Sequence, residues 1–240
     1  MKRHNNMNMR TGPRQNHLLA LLPEGECGHL LSALEPIELG GGEILFEPSQ
    51  KLRHAYFPVD STISLYYPVD HGMSAEIALI GNDGMFSIAS FLDGGVLPYV
   101  AAVETAGQAY RLDARILREE FDRGGELQHI LLLYAQALFT QTAQISICGR
   151  GHSLRQQFCL HLLLLHDRSP SGRLVLTQQA VAHMLGVRRE SVTKISGELR
   201  RDGLIDYRRG HIAILDRPGI EQECCECYGV VRQEFRRLLG

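Results

Sequence analysis

The stretch LTQQAVAHMLGVRRESVTKISGELRRDGLI, residues 176–205, leaves its part of the chain few ways to fold. Thr177 can cap a helix over 178–185, and Gly186 can end it. A second helix follows over about 189–201. Two helices crossing at a steep angle need a small residue where they touch, a glycine four positions later to turn the chain, and apolar residues to lock the pair. Ala182 and Gly186 meet the first two needs, and Val181, Leu185, Val187, Val192 and Ile195 the third. The spacing predicts a helix-turn-helix.

That register leaves Arg188, Arg189, Glu190, Ser191, Thr193 and Lys194 on the outer, N-terminal part of the second helix, the part that can enter a major groove. Arginine can bridge N7 and O6 of guanine, glutamate can accept from the N4 amine of cytosine, and lysine can reach guanine acceptors. Arg189, Glu190 and Lys194 are therefore candidate base readers. Thr177, Gln178, Arg188, Ser191 and Thr193 are candidates to support them or to meet the backbone, and Ala182, Gly186 and Val192 are structural. The segment after the second helix alternates over 204–207 and 211–215 around Arg208-Arg209-Gly210, the pattern of a hairpin with a basic tip. Beside the second helix it makes a wing, and Arg208, Arg209, Arg200 and Arg201 can hold phosphates.

Charge follows the same division. The chain carries a formal −2, but 153–240 hold 14 Lys+Arg against 10 Asp+Glu, and the first 152 residues hold 11 against 17. A basic C-terminal unit on an acidic N-terminal one is expected of a nucleic-acid binder attached to a part that does not bind nucleic acid.

Between residues 36 and 112, short apolar-polar alternations are separated by LGGG, GNDG and other turn signals, which predicts an antiparallel β unit closed on itself as a roll or small barrel. Residues 18–34 suit short helices at its entrance, and 113–124 a short helix after it. The segment 126–148 is helical and apolar on more than one face, so it needs a second surface to pack on, and a second copy of itself is the economical choice. GRGHS at 149–153 is expected to break that helix, with Ser153 capping the next. The fold class is α+β. The expected domains are a disordered arm at 1–16, a sensor roll at 17–125, a dimerisation helix and hinge at 126–152, and a winged helix-turn-helix at 153–240.

No apolar run approaches the roughly 20 residues that span a bilayer, and the basic, polar N-terminus has no apolar segment after it. The protein is expected to be cytoplasmic, away from membranes. Six cysteines, at 27, 148, 159, 224, 225 and 227, follow no disulfide pattern. On a helix only Cys224 and Cys227 would share a face, so the C-terminal group is expected to pack beneath the basic domain, with no metal site. His161, His166 and His183 are expected to be partly buried, hydrogen-bonded helix residues. No nucleophile elbow, phosphate loop or paired carboxylate marks a catalytic centre, so an enzyme is not expected.

RRESVTK in a helix, followed by LRRDGLI and a wing and preceded by a roll and a long helix, resembles the Crp/Fnr family of bacterial transcription regulators over nearly the whole chain. The resemblance implies operator reading by an Arg-Glu pair and a basic residue four positions after the Glu, which map to Arg189, Glu190 and Lys194. That last position is usually Arg in the family, and lysine is a point charge with no fork. The residue before Arg189 is commonly Ser, and here it is Arg188. The resemblance also implies a homodimer on double-stranded DNA with two-fold symmetry, half-sites about one helical turn apart, and RNA polymerase as partner if the protein activates.

Cyclic-nucleotide-binding members hold the phosphate with a Gly-Glu pair and an Arg-Ser pair. The corresponding stretches here, GNDGMFSI and GGVLPYVAA, carry Met85, Phe86, Pro98 and Tyr99 near those places, so cyclic AMP is not expected. The oxygen-sensing branch ligates an iron-sulfur cluster through a run of N-terminal cysteines and one more. Cys27 and Cys148 are too few, so no iron-sulfur cluster is expected either. The competing reading is a small-molecule or cyclic-nucleotide receptor whose helix-turn-helix serves protein contacts.

Overall fold

The structure is a computed structural model that describes residues 12–23, 28–48, 50–68, 74–92, 97–170 and 174–240. Among the described residues, seven strands build the N-terminal roll: β1 (Glu35–Leu39), β2 (Ile44–Phe46), β3 (His54–Pro58), β4 (Thr62–Pro68), β5 (Ser74–Ile80), β6 (Val100–Thr105) and β7 (Gly107–Asp113). They form two antiparallel sheets, ordered β1-β7-β3 and β2-β6-β4-β5. Alternation along each strand sends Phe46, Ile63, Leu65, Ala101 and Val103 into a core with Phe86. Gly107 follows the turn from β6, where any Cβ would run into the backbone at Ser61 and the side chain of Asp60.

A second core lies between the β1-β7-β3 sheet and helices α1 (His17–Leu21), α2 (Gly28–Ser32) and α4 (Ala114–Asp122), with the start of α5 (Glu126–Gly151) closing it; α3 (Ala89–Leu92) precedes β6. Asp113 caps α4 by accepting from Arg115 N–H. The arm expected at 1–16 falls partly on residues 1–11, outside the described residues. Pro13–Gln15 form a single 3₁₀ turn, and buried Asn16 donates to Pro58 O at 2.9 Å and Gly84 O at 2.8 Å. A polar residue is drawn in there because a strand-end carbonyl and a loop carbonyl need a donor.

The long helix runs three residues further than expected. Gly149 and Gly151 stay helical with open space about them, and the break comes at His152 (φ −114°, ψ 154°). Two glycines cost about 1 kcal/mol each in a helix, which is too little to end one with a packed face. Leu127, Leu131, Tyr134, Gln141, Ile145 and Cys148 supply that face, with Tyr134 donating to Met85 O at 2.9 Å and Gln141 to Leu79 O at 2.8 Å. By length and composition α5 is apolar enough to cross a membrane, contrary to the expectation that no segment approaches this. The core helix of a soluble protein passes the same test, so one such helix is weak evidence for a span.

The C-terminal unit contains α6 (Leu154–Asp167), β8 (Leu174–Val175), α7 (Gln178–Leu185), α8 (Arg189–Arg201), β9 (Ile205–Arg208), β10 (His211–Ile214), α9 (Arg217–Glu223) and α10 (Glu226–Leu239). Ser153 and Gln156 form a reciprocal capping box at the start of α6. The wing has a third strand that alternation did not suggest, because two-residue β8 pairs with β10 and is too short to show a period. The last helix turns back against α5, where Phe235 meets Tyr134 edge-on. Cys224 ends α9 and Cys225 precedes α10, so the chain is not helical between them and the shared-face expectation for Cys224 and Cys227 fails.

Candidate nucleic-acid interface

Thr177 Oγ1 accepts from Ala180 N–H at 3.0 Å and opens α7. At its other end Gly186 sits at φ 62°, ψ 34°, and two bonds tie off the last carbonyls: Gly186 N–H to His183 O at 3.2 Å and Val187 N–H to Ala182 O at 3.0 Å. This left-handed closure is the reason for a glycine at the turn. Ala182 and Val192 are buried where the two helices meet, with Val181, Ile195 and Leu199 around them. Every apolar position of the sequence register is in the core or packed against it.

The opposite face of α8 points outward. Arg188, Arg189, Glu190, Thr193 and Lys194 are exposed and Ser191 partly so. Among the described residues, Glu190 and Lys194 have neither an ion pair nor a side-chain hydrogen bond, which leaves both free for a partner. Gln178 was expected only to support, and its contacts are specific: its Oε1 accepts from Thr193 Oγ1 at 3.0 Å and Arg189 Nε at 3.4 Å, tying the first turn of α7 to the first two turns of α8. A 13-residue helix extends about 20 Å. Its outer turns therefore project far enough to enter a groove about 12 Å wide.

β9 and β10 turn through Arg209 (φ 50°) and Gly210 (φ 81°), with Arg208 opposite His211. Two successive positive φ values define a turn whose twist matches that of the strands. Asp206, which sequence reasoning passed over, organises the basic edge: it pairs with Arg200 at 3.2 Å and Arg208 at 3.0 Å, joining the end of α8 to the wing. Arg201 turns back to Gly197 O at 3.4 Å, and Arg209 is exposed at the tip. Tyr207 donates to Leu176 O at 2.8 Å and holds the wing to the strand before α7; burial pushes its phenol up to about 12, so it remains a donor through the physiological range.

One of the three histidines is as expected: half-buried His166 lies 2.8 Å from Arg217, where burial lowers its pKa. His161 is buried with Nδ1 3.0 Å from Glu76 Oε1 in β5, but neither of those atoms makes a hydrogen bond among the described residues. His183 is exposed, because α7 buries the opposite face. Away from the helix-turn-helix, a cavity of about 630 Å³ lies between the roll and α5, with Leu65, Ile80, Met85, Phe86, Tyr99 and Leu138 among its walls.

Comparison with known proteins bears on both halves. Residues 156–223 match the Crp-like helix-turn-helix domain. Over 219 residues the chain is 26% identical to the global nitrogen regulator of Synechococcus elongatus, covering 87% of this chain and 97% of that protein. It is 26% identical over 171 residues to the transcriptional regulator LdrP of Thermus thermophilus, covering 65% of this chain and 86% of LdrP. In fold it is similar to a CRP-family transcriptional regulator from Thermus thermophilus, with a TM-score of 0.63 at 19% identity over 78% of this chain and 95% of the other.

Proposed function

We propose that this chain, a transcription regulator of the Crp/Fnr type with a helix-turn-helix DNA-binding domain, reads a two-fold symmetric operator as a homodimer. Arg189, Glu190 and Lys194 meet base edges, Arg208, Arg209, Arg200 and Arg201 hold phosphates, and Thr177, Gln178, Arg188, Ser191 and Thr193 fix the reading helix. The observation that carries this is Glu190. An exposed carboxylate without a cation, in the middle of a basic helix face, is repelled by phosphate and is useful only where it accepts from a base.

Leu132, Phe139 and Ile147 support the dimer, since they form an exposed apolar row along α5. We assign the effector to the cavity between roll and α5. Among its described lining residues none is Lys or Arg, and Pro98 and Tyr99 stand near the place where a phosphodiester would need a cation, so a neutral, apolar effector fits and cyclic AMP does not. Neither an iron-sulfur cluster nor any other cofactor is invoked for the reading head. The protein acts in the cytoplasm, and contacts RNA polymerase if it activates.

Selection of bound sites from random DNA, followed by titration of two variants, tests the assignment. Arg189→Ala is expected to weaken the selected site by about 1–3 kcal/mol and to relax preference at one base pair. Arg208→Ala is expected to weaken all sequences alike and to lower the salt dependence. Equal losses on selected and random DNA for both variants would refute the base-reading role.

A further inference from the structure

Four donors unrelated to DNA reading converge where the long helix meets the C-terminal helices. Cys148 lies in the last turns of α5 and His152 ends that helix, four positions on. Cys225 and Cys227 flank the start of α10. Cys148 Sγ is 3.4 Å from Cys225 Sγ, Cys227 Sγ is 3.6 Å from His152 Nδ1, and all four donor atoms lie within 4.8 Å of one another. The three cysteines are buried and the imidazole is nearly so. Their chain spacing hides them, because each pair becomes a set only when residues more than 70 positions apart meet.

We propose that Cys148, His152, Cys225 and Cys227 form a Cys₃His site for one zinc ion. A tetrahedral ion with Zn–S near 2.3 Å and Zn–N of about 2.0–2.1 Å places its ligand atoms roughly 3.5–3.8 Å apart; the Cys227–His152 pair at 3.6 Å lies in that range, and the Cys148–Cys225 pair at 3.4 Å falls just short of it. The imidazole has a carboxylate on its far side, as such sites commonly do. Its Nε2 lies 3.2 Å from Glu226 Oε1, and its Nδ1 is the nitrogen on the side of the sulfurs. Three thiolates and one imidazole favour zinc over calcium, magnesium or manganese, and four protein donors leave no open position, as in a structural site. Two alternatives explain less. Sulfurs 3.4 Å apart are beyond the roughly 2.05 Å of a disulfide, and that bond would give no role to Cys227 or to the oriented histidine. Simple packing of neutral thiols accounts for the sulfurs and leaves the Glu226–His152 pair unexplained.

The position gives the ion its consequence. It would fasten the end of α5 and the residue after it to the start of α10, and α10 in turn lies along α5 through Phe235 on Tyr134 and Gln136 on Glu234 at 3.3 Å. A zinc ion here fixes the joint between the roll with its long helix and the helix-turn-helix. Any effect on operator affinity rests on the DNA-reading assignment above, whereas the metal site does not.

The test uses the full-length protein purified in reductant without chelator. Elemental analysis is expected to find about one zinc per protomer. After the zinc is stripped, cobalt(II) is expected to give thiolate charge-transfer bands and the strong visible bands of a tetrahedral site, both erased by adding zinc. Cys148→Ser and Cys225→Ser should lose these bands, and Cys224→Ser, outside the quartet, should keep them. Glu226→Gln alters only an exposed residue and leaves every ligand in place, so it tests the site even if the cysteine variants do not fold. It should weaken zinc binding by about 10- to 100-fold in competition with a chromophoric chelator. The proposal is overturned by reduced protein that takes up neither zinc nor cobalt, by a native Cys148–Cys225 disulfide in peptide mapping, or by Glu226→Gln and Cys225→Ser binding as tightly as the parent.

Discussion

Replacing Phe139 with glutamate is expected to split the protein into monomers and to lower its affinity for a two-fold operator by about 10²- to 10⁴-fold, the gain that linking two reading heads provides. Phe139 is 75% exposed on α5, with Leu132 at 48% and Ile147 at 55% one heptad-like step before and after it along the same face. A row at that spacing is the seam along which two helices pack. Glutamate in the middle of the seam would face its own copy across the symmetry axis, adding like-charge repulsion to the lost apolar burial. Sedimentation velocity and anisotropy with a symmetric and a half-site duplex check it together. A variant that stays dimeric with unchanged operator affinity would place the interface elsewhere.

The second large effect is expected at Arg168, far from any DNA contact. This residue is only 3% exposed at the end of α6, and it reaches three parts of the molecule. Its guanidinium pairs with Asp83 at 2.9 Å in the loop after β5, donates to Gln141 Oε1 in α5 at 2.8 Å, and lies over the Phe235 ring of α10 at 5.3 Å. Gly81 makes room for it, since a Cβ there would run into the Arg168 side chain. Arg168→Ala leaves a carboxylate and a buried amide without their partner and should cost about 3 kcal/mol, read as a fall in the urea midpoint. Arg168→Lys should recover only part of this, because an ammonium cannot bridge Asp83 and Gln141 in one plane. A loss below about 1 kcal/mol, the range of surface pairs, would mean that the joint is held by apolar packing alone.

The helix-turn-helix was legible in the sequence because its determinants are local. A cap, a left-handed glycine and four or five apolar positions lie within about 20 residues and answer to backbone geometry. The roll was legible at lower resolution, since alternation and turn glycines give strand existence but not pairing. What escaped depends on distant segments meeting. Gly149 and Gly151 look like a stop until α5 is seen to be held by its packed face. Asp206 looks like any wing residue until Arg200 arrives beside it. Arg168 reads as a surface charge after a helix, and its burial follows only from Gly81 and Asp83, more than 80 positions earlier. The sulfur cluster fell to the same difficulty, because the local expectation paired Cys224 with Cys227 while the fold pairs Cys225 and Cys227 with Cys148.

The return of α10 has a consequence for how the two halves come apart. Phe235 and Leu239 pack against the core that contains Leu18 and Tyr134, so one face of that N-terminal core is covered by residues about 100 or more positions further along the chain. The two halves therefore share apolar burial, and they are expected to unfold together and not in separate steps. A fragment cut off before α10 would keep Arg189, Glu190 and Lys194 and still expose an apolar face that favours aggregation.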